Sequence, residues 1–230
     1  MNYVIIVAGG TGSRMDVHTP KQFLLLNGMP VMMHAIQAFH KSQSAPQIIV
    51  VLHAGMRETW SALCQTHRFD IPHSVVTGGE SRFGSVKKGL EALKAGDVDL
   101  SQSLIAIHDA ARPLITPGLI DSTYEQASRT GAAALAVRST NSVRIVSNNG
   151  LKNNAHRRET VYLMQTPQTF SGTILSEAYE APEQGMYTDD SSVVEKKGYP
   201  ISLIDGDTRN IKITFPEDLA IAEILLRTMD

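Results

Sequence analysis

The chain has 230 residues, of which 42% are hydrophobic and 19% are charged, and its formal net charge is −2. This length suits one domain with a full hydrophobic core, and the near-neutral charge gives no reason to expect a nucleic-acid or anionic-membrane partner. The eight histidines are scattered without zinc-ligand spacing, and the single cysteine, Cys64, rules out an internal disulfide.

The first predicted element is a buried strand in the apolar run Tyr3–Val7, which is far shorter than the hydrophobic part of a signal peptide. No stretch approaches the length of a membrane span. Because a lone cysteine also fits a reducing compartment, we expect a cytoplasmic protein with no membrane partner.

A glycine-rich loop, VAGGTGSRM, follows this strand, and Arg14 and Lys21 add two positive charges to it. Three glycines let the backbone turn tightly enough to bring N–H groups close to an anion: Gly9, Gly10 and Gly12. A polyphosphate site needs these features. A tight strand-to-helix turn with solvated cations is the alternative, and the loop alone favours the phosphate role only modestly.

The loop does not match the two common phosphate-binding fingerprints. The dinucleotide pattern requires glycine where Met15 stands, and the Gly-Lys-Ser/Thr of a Walker A loop occurs nowhere in the chain. Pro20 biases Thr19 away from helical geometry, so we expect the loop to continue extended.

Helical and strand-like patterns alternate as far as residue 137. The predicted helices are Val31–Lys41, Arg57–His67, Arg82–Lys94 and Pro117–Ser128. The predicted strands are Gln47–Leu52, His73–Thr77, Ser103–His108 and Ala132–Val137. Continuous apolar strands separated by helices predict a parallel sheet covered on both faces, with ligands bound beyond the carboxyl ends of the strands.

Two polar motifs follow predicted strands and therefore lie at that edge. In TGGESRFGS, Gly78 and Gly79 permit close approach to a flat ligand such as a base, and Ser85 can offer a hydroxyl. A glycine turn with Ser81 or Glu80 capping the helix is equally consistent with this motif.

In HDAARP, Asp109 is placed to hold Mg²⁺, which proteins bind with one or two carboxylates plus phosphate oxygens. A helix N-cap or an ion pair between Asp109 and Arg112 is the alternative. We favour the metal role because the predicted phosphate loop lies at the same edge.

The alternation breaks after residue 137. Ser142–Val146 and Leu151–Ala155, joined by an Asn-Gly turn, predict a polar hairpin that either frays or packs against another subunit. The remaining predictions, all after Tyr162–Gln165, are a proline-containing loop, helices near Gly172–Tyr179 and Asp189–Lys197, strands near Ile201–Ile204 and Ile211–Thr214, and a closing helix from Pro216. The predicted fold is α/β and Rossmann-like, with a mostly parallel sheet, helices on both faces and an inserted β-hairpin arm.

Six motifs occur in the order seen in one enzyme family: VAGGTGSRM…PKQF, TGGESRFGSV, HDAARP, QTPQTF, TDDSSVVE and NIKIT. The chain thereby resembles, over nearly its whole length, the cytidylyltransferases that act on 2-C-methyl-D-erythritol 4-phosphate in non-mevalonate isoprenoid biosynthesis. The resemblance implies one nucleotidyltransferase domain, residues 1–230. It also implies transfer of a cytidylyl group from CTP to that sugar phosphate, with Mg²⁺, release of CDP-methylerythritol and pyrophosphate, and a homodimer held by the arm at about residues 139–160.

The resemblance also implies roles for individual residues. The triphosphate lies on the backbone of Ala8, Gly9, Gly10, Thr11 and Gly12, and the cytosine and ribose are recognised by Gly79, Glu80 and Ser85. Four cations are catalytic: Arg14 and Lys21 on the triphosphate, Arg158 and Lys212 on the sugar phosphate. The remaining substrate-binding positions are Asp109, which also holds the metal, Ala110, Arg112, Thr140 and Thr166.

Three other functions stay open. The motif GGTGSRM is closer to that of the enzymes that make CDP-ribitol from ribitol 5-phosphate, whereas HDAARP and TDDSS favour the methylerythritol branch. A non-catalytic nucleotide-binding protein on the same fold would be expected to lack some of the four residues Arg14, Lys21, Asp109 and Lys212, and all four are present. A dinucleotide-dependent oxidoreductase is weakened by Met15.

Overall fold

The computed structural model describes residues 1–9, 19–147, 150–183, 185 and 187–228, which form eleven strands and seven α-helices. The strands are β1 (Asn2–Ala8), β2 (Leu25–Leu26), β3 (Met29–Pro30), β4 (Gln47–Leu52), β5 (Ser74–Thr77), β6 (Leu104–Asp109), β7 (Ala132–Arg138), β8 (Val143–Ser147), β9 (Lys152–His156), β10 (Tyr162–Ser171) and β11 (Ser202–Asp205). The helices are α1 (Val31–Lys41), α2 (Arg57–Thr66), α3 (Arg82–Ala95), α4 (Pro117–Thr130), α5 (Gly172–Glu180), α6 (Asp190–Lys196) and α7 (Pro216–Leu226). None of the helices in these described residues is long and apolar enough to cross a membrane.

Seven strands form the central sheet in the order β11-β7-β10-β6-β1-β4-β5. Six of them run in one direction, and β10 is antiparallel to its neighbours β6 and β7. The predicted α/β architecture with a mostly parallel sheet is confirmed. Gly9, which follows β1, and the motifs after β5 and β6 therefore lie at one edge of this sheet.

Strand β1 shows why the predicted strands read as unbroken apolar runs. Val4 and Ile6 point to one face, where they pack with α1, α2 and α4, and Tyr3 and Ile5 point to the other, where they pack with α3, α5 and α6. Successive side chains on a strand alternate between faces, so a strand covered on both sides needs apolar residues at every position. Helices on both faces are thus confirmed.

The predicted loop after Gln165 is wrong. Strand β10 continues through Pro167 to Ser171, and its pairing with β7 shifts register between Met164 and Gln168. Proline is tolerated within a sheet at such an irregularity because no ladder hydrogen bond has to be donated there.

The predicted strand Ile211–Thr214 is also wrong, because this segment is a loop. Its one backbone bond to the loop after β6 is donated by the N–H of Ile213 to the carbonyl of Ala111, at 2.8 Å. Ile213 is buried and Lys212 is exposed, so the side chains alternate as in a strand without the pairing.

The predicted hairpin arm is formed by β8 and β9, which pair antiparallel from Val143 with His156 to Ser147 with Lys152. All five residues of β9 and four of five in β8 are exposed. Its turn residues Asn148 and Asn149 lie outside the described part of the chain.

Candidate active site

A cavity of about 310 Å³ opens at the carboxyl-terminal edge of the sheet. Its walls come from the ends of β1, β5 and β6, from the turn at Lys21, and from the loop that carries Lys212. Most of the predicted site residues that lie within the described ranges line it: Ala8, Gly9, Lys21, Gly79, Glu80, Ser85, Asp109, Ala110 and Lys212. Four others, Gly10, Thr11, Gly12 and Arg14, fall outside those ranges.

Gln22 fixes the position of Lys21, a role that sequence reasoning missed. The buried side-chain amide of Gln22 donates a hydrogen bond to the carbonyl of Ala8, at 2.7 Å. The short 3₁₀ turn Lys21–Phe23 is thereby attached to the end of β1, and Phe23 stacks on Trp60 behind it. Lys21 consequently stands on an anchored turn at the cavity wall.

The Gly78-Gly79 pair packs against the first turn of α3. A Cβ atom at Gly78 would lie 2.8 Å from the Oγ of Ser85, and one at Gly79 would lie 2.8 Å from the carbonyl carbon of Gly84. At Gly79, where the neighbouring atoms belong to the backbone of Gly84, a Cβ does not fit unless the chain shifts. The predicted cap is confirmed for Ser81, whose side chain accepts the N–H of Gly84 at 2.9 Å.

Asp109, the last residue of β6, contacts two cations. Its Oδ2 lies 2.7 Å from the Nζ of Lys212, and its Oδ1 accepts a hydrogen bond from the Nε of Arg82 at 3.1 Å. The alternative ion pair with Arg112 is absent among the ion pairs of the described residues. Two positive groups therefore share one carboxylate at the edge of the cavity.

The charges around Asp109 keep it ionised. Burial alone would raise the pKa of the Asp109 carboxyl, but the Arg82 and Lys212 cations outweigh burial and hold that pKa well below its usual range. Burial likewise opposes the charge of Arg82, yet Asp190 and Asp109 raise the pKa of its guanidinium.

Arg112 and Thr166 lie behind the cavity wall. Arg112 donates to the carbonyl of Asn210 at 2.7 Å and to that of Met164 at 3.4 Å, so it holds the loop that carries Lys212. The Oγ of Thr166 accepts the backbone N–H of Asp109 at 3.0 Å. Both residues support site residues from outside the cavity lining.

Arg158 and Thr140 stand at the base of the arm, away from this lining. Arg158 donates to the carbonyl of Thr140 at 3.3 Å, and its Nε lies 3.6 Å from a carboxylate oxygen of Glu159. All three residues are exposed. The structure of one chain therefore does not bring the arm residues together with Lys212.

Asp109 fits a Mg²⁺ that arrives with a nucleotide. Within the described ranges, no group of three or more His, Cys, Asp or Glu side chains could hold a metal on its own. Mg²⁺ is commonly bound by one or two carboxylates together with substrate phosphates and water. Each oxygen of Asp109 receives one cation contact and retains further lone-pair capacity, so this carboxylate can supply such a ligand.

The cavity combines glycine-lined backbone, a lysine turn and a carboxylate flanked by cations at the carboxyl ends of parallel strands. This fold and site define a nucleotidyltransferase. The model of the family described as 2-C-methyl-D-erythritol 4-phosphate cytidylyltransferase (IspD) matches residues 2–228, and the chain belongs to that family.

Named relatives and solved structures agree with this assignment. The chain is 44% identical over 225 residues to the 2-C-methyl-D-erythritol 4-phosphate cytidylyltransferase of Azobacteroides pseudotrichonymphae, covering 97% of this chain and 98% of that protein. It is 42% identical over 225 residues to the enzyme of the same name from Porphyromonas gingivalis, covering 97% of each. It superposes on 4-diphosphocytidyl-2C-methyl-D-erythritol synthase from Anaerococcus prevotii with a TM-score of 0.82 and 26% identity, covering 98% of this chain and 96% of that one.

Proposed function

We infer that this protein transfers the cytidylyl group of CTP to 2-C-methyl-D-erythritol 4-phosphate, giving CDP-methylerythritol and pyrophosphate for non-mevalonate isoprenoid biosynthesis. Family membership over residues 2–228 supports this acceptor and not the ribitol 5-phosphate alternative. The observation that carries the proposal is the 2.7 Å contact of Lys212 with Asp109 beside the glycine-lined cavity. This contact supports the proposal because a lysine on a flexible side chain beside the cavity could bind an anionic acceptor next to a nucleotide.

In this proposal one end of the cavity binds CTP. The backbone from Ala8 to Gly12, which comprises Ala8, Gly9, Gly10, Thr11 and Gly12, binds the triphosphate, with Arg14 and Lys21 on its charge. Gly79, Glu80 and Ser85 recognise the base and ribose. One cavity is lined by Gly9, Lys21, Gly79 and Ser85, so a single ligand can contact all four. This supports the proposed arrangement.

The acceptor occupies the side of the cavity near Asp109, Ala110 and Lys212. Lys212 binds its phosphate, and Arg112 and Thr166 keep Lys212 and Asp109 in place through their hydrogen bonds. Asp109 is the residue that would hold Mg²⁺, which neutralises charge on the phosphates when it is bound.

The chemistry requires no activated side-chain nucleophile. An oxygen of the acceptor phosphate, already anionic, attacks the α-phosphorus of CTP while the bond to the bridging oxygen breaks and pyrophosphate leaves. The protein's contribution is alignment of the two phosphates and cationic stabilisation of the transition state. Arg14, Lys21 and Lys212 supply the positive charge on this chain.

We further propose a homodimer in which the arm at residues 139–160 completes the partner's site with Arg158 and Thr140. The arm supports this because an isolated two-stranded hairpin is marginally stable, and its Ile145, Val146 and Leu151 are exposed.

The 230 residues are taken as one nucleotidyltransferase domain. A cytoplasmic location stays a prediction, supported by the need for CTP.

The test is an assay of pyrophosphate release by the purified protein with CTP and Mg²⁺. One reaction contains 2-C-methyl-D-erythritol 4-phosphate, a second contains ribitol 5-phosphate, and a third contains no acceptor. Release that depends on the methylerythritol phosphate is expected. Pyrophosphate release only with ribitol 5-phosphate would reassign the acceptor. No pyrophosphate release in any of the three reactions would contradict the transferase function.

A further inference from the structure

Arg82 connects the cavity to a buried acidic residue that has no role in the proposed reaction. One edge of its guanidinium donates to Asp109, and the other forms two hydrogen bonds with the carboxylate of Asp190, at 2.9 and 2.6 Å. The Asp190 side chain is fully buried, and the hydroxyl of Tyr179 also donates to it at 2.7 Å. Arg82 is therefore fixed by Asp190 from behind the site.

Lys212 is held far less firmly. It stands on a loop, its side chain is 40% exposed, and its ion pair among the described residues is the one with Asp109. A lysine is a single charge on a flexible stem, whereas an arginine in a two-bond pair with a carboxylate is geometrically locked. Of the two cations on Asp109, Lys212 is the one that can move.

We propose that Arg82 is a positioning residue that acts as the permanent counter-ion of Asp109, so that Lys212 can leave Asp109 for the acceptor's phosphate. This inference rests on the proposed transferase function. Asp109 is only 8% exposed, and a buried carboxylate left without a cation is strongly unfavourable. With Arg82 in place, the departure of Lys212 leaves Asp109 still paired.

Arg82 also lies next to the residues proposed to bind the nucleotide. Arg82 is the first residue of α3, directly after the cap Ser81 and three residues beyond Gly79. Asp190 is the first residue of α6. The Arg82–Asp190 pair thus joins the start of α3 to the start of α6, and Arg82 extends this connection to Asp109.

The main variant is R82Q/D190N, which replaces the charged pair by two neutral groups that can still hydrogen-bond. Arg82→Gln alone would leave Asp190 as an unpaired buried charge and could unfold the chain. In R82Q/D190N, Lys212 becomes the one cationic side chain among the described residues that pairs with Asp109, so its departure becomes more costly. We expect kcat/KM for the sugar phosphate to fall by roughly 30-fold while KM for CTP changes by less than about threefold.

A double-mutant cycle with Lys212→Gln tests whether Arg82 acts through Lys212. If it does, the R82Q/D190N change lowers kcat/KM by less than about threefold in a chain that already lacks Lys212, compared on variants that thermal unfolding shows to be folded, because Asp109 then has no cationic side chain beside it. Additive losses would overturn the proposal, since Arg82 would then act independently of Lys212. The Arg82→Lys variant keeps a cation beside Asp109 and should retain most of the activity that R82Q/D190N loses. A loss of activity in Arg82→Lys equal to that of R82Q/D190N would also overturn the proposal.

Two measurements separate this inference from its premises. Arg129→Gln, which removes an exposed arginine from its pair with Glu125 on α4, is the control and should keep wild-type kinetics. Thermal unfolding of each variant shows whether it is folded under the assay conditions. Absence of pyrophosphate release by the wild type would contradict the proposed function itself, whereas an active wild type with a fully active, folded R82Q/D190N variant contradicts only the role of Arg82.

Discussion

Thr166 supports Asp109 directly, because its Oγ accepts the backbone N–H of Asp109 at 3.0 Å inside the sheet edge. Thr166 is buried on β10, the antiparallel strand, and Asp109 ends the neighbouring β6. The Oγ also lies 3.2 Å from the Nδ1 of His108. One hydroxyl thus fixes the backbone from which the site's carboxylate projects.

Replacing Thr166 by valine should destabilise the protein and lower its activity. Valine has the same shape but leaves the buried N–H of Asp109 without an acceptor, which costs about 1–3 kcal/mol of unfolding free energy. Thr166→Ser keeps the hydroxyl and is the matched control, in which we expect a smaller loss of stability and of activity. Urea unfolding and pyrophosphate release measure the two effects, and equal stability of the valine and serine variants would contradict this role for the hydroxyl.

Lys21→Ala should lower kcat roughly a hundredfold or more with a smaller effect on KM for CTP, if Lys21 acts mainly on charge that grows in the transition state. Steady-state kinetics with CTP and the sugar phosphate test this expectation. Lys41→Ala, at the exposed end of α1, is the matched control and should leave kcat unchanged. A normal kcat in Lys21→Ala would remove Lys21 from the mechanism.

Gly79→Ala should weaken CTP binding and destabilise the fold, because the added Cβ would lie 2.8 Å from the backbone of Gly84. Gly118→Ala is the control within α4, where a Cβ meets nothing within 4 Å. Since alanine is the better helix former, that variant should gain about 0.5–1 kcal/mol. Thermal unfolding and CTP titration by calorimetry distinguish the two. Wild-type CTP affinity in Gly79→Ala would show that the close approach can relax without cost.

Much of this fold follows from sequence periodicity. The predicted helix Val31–Lys41 and strand Gln47–Leu52 have the same bounds in the structure, because each carries an apolar pattern that packs against a full layer. Strand β10 was missed since proline normally argues against a strand interior. The loop around Lys212 was read as a strand since its buried and exposed residues alternate without any pairing.

The supporting residues of the site could not be found in the same way. Arg82 and Asp190 are 108 residues apart, and Gln22 and Ala8 are 14 apart. Neither pair has a periodic signal, because a polar side chain and its partner are joined only when the sheet and its helices assemble. Arg82, Asp190 and Gln22 do lie within the motifs TGGESRFGSV, TDDSSVVE and PKQF, but the motifs do not show which residue each of them contacts, because those contacts depend on the tertiary structure.

Stability should fall as pH drops below about 6.5, because of His108. Burial, the largest effect, lowers the pKa of His108 from 6.5 to about 4 despite the nearby Asp109 carboxylate. Between those values the unfolded chain binds a proton that the folded chain does not, so unfolding free energy decreases by about 1.4 kcal/mol per pH unit, roughly 3 kcal/mol in all. The Asp109 carboxyl stays ionised throughout this window, because its pKa is held well below the usual range.

Urea unfolding at pH 7, 6 and 5 measures this slope in the wild type and in His108→Gln. The glutamine variant should lose most of this pH dependence, although the partly buried His34, whose pKa burial also lowers, contributes in the same direction. Replacing the exposed His40 by glutamine is the matched control and should leave the slope unchanged. An identical slope in His108→Gln would show that other groups cause the acid sensitivity.

Mixing two inactive variants tests whether the arm acts in the partner's site. If Arg158 of one chain works with Lys212 of the other, Lys212→Ala and Arg158→Ala chains form mixed dimers with one site that has both residues intact. Random exchange then restores about a quarter of the wild-type activity per site, because half of the dimers are mixed and one of their two sites is complete. If both residues act within one chain, mixing restores nothing. Pyrophosphate release before and after exchange decides between the two, with each variant incubated alone as the control.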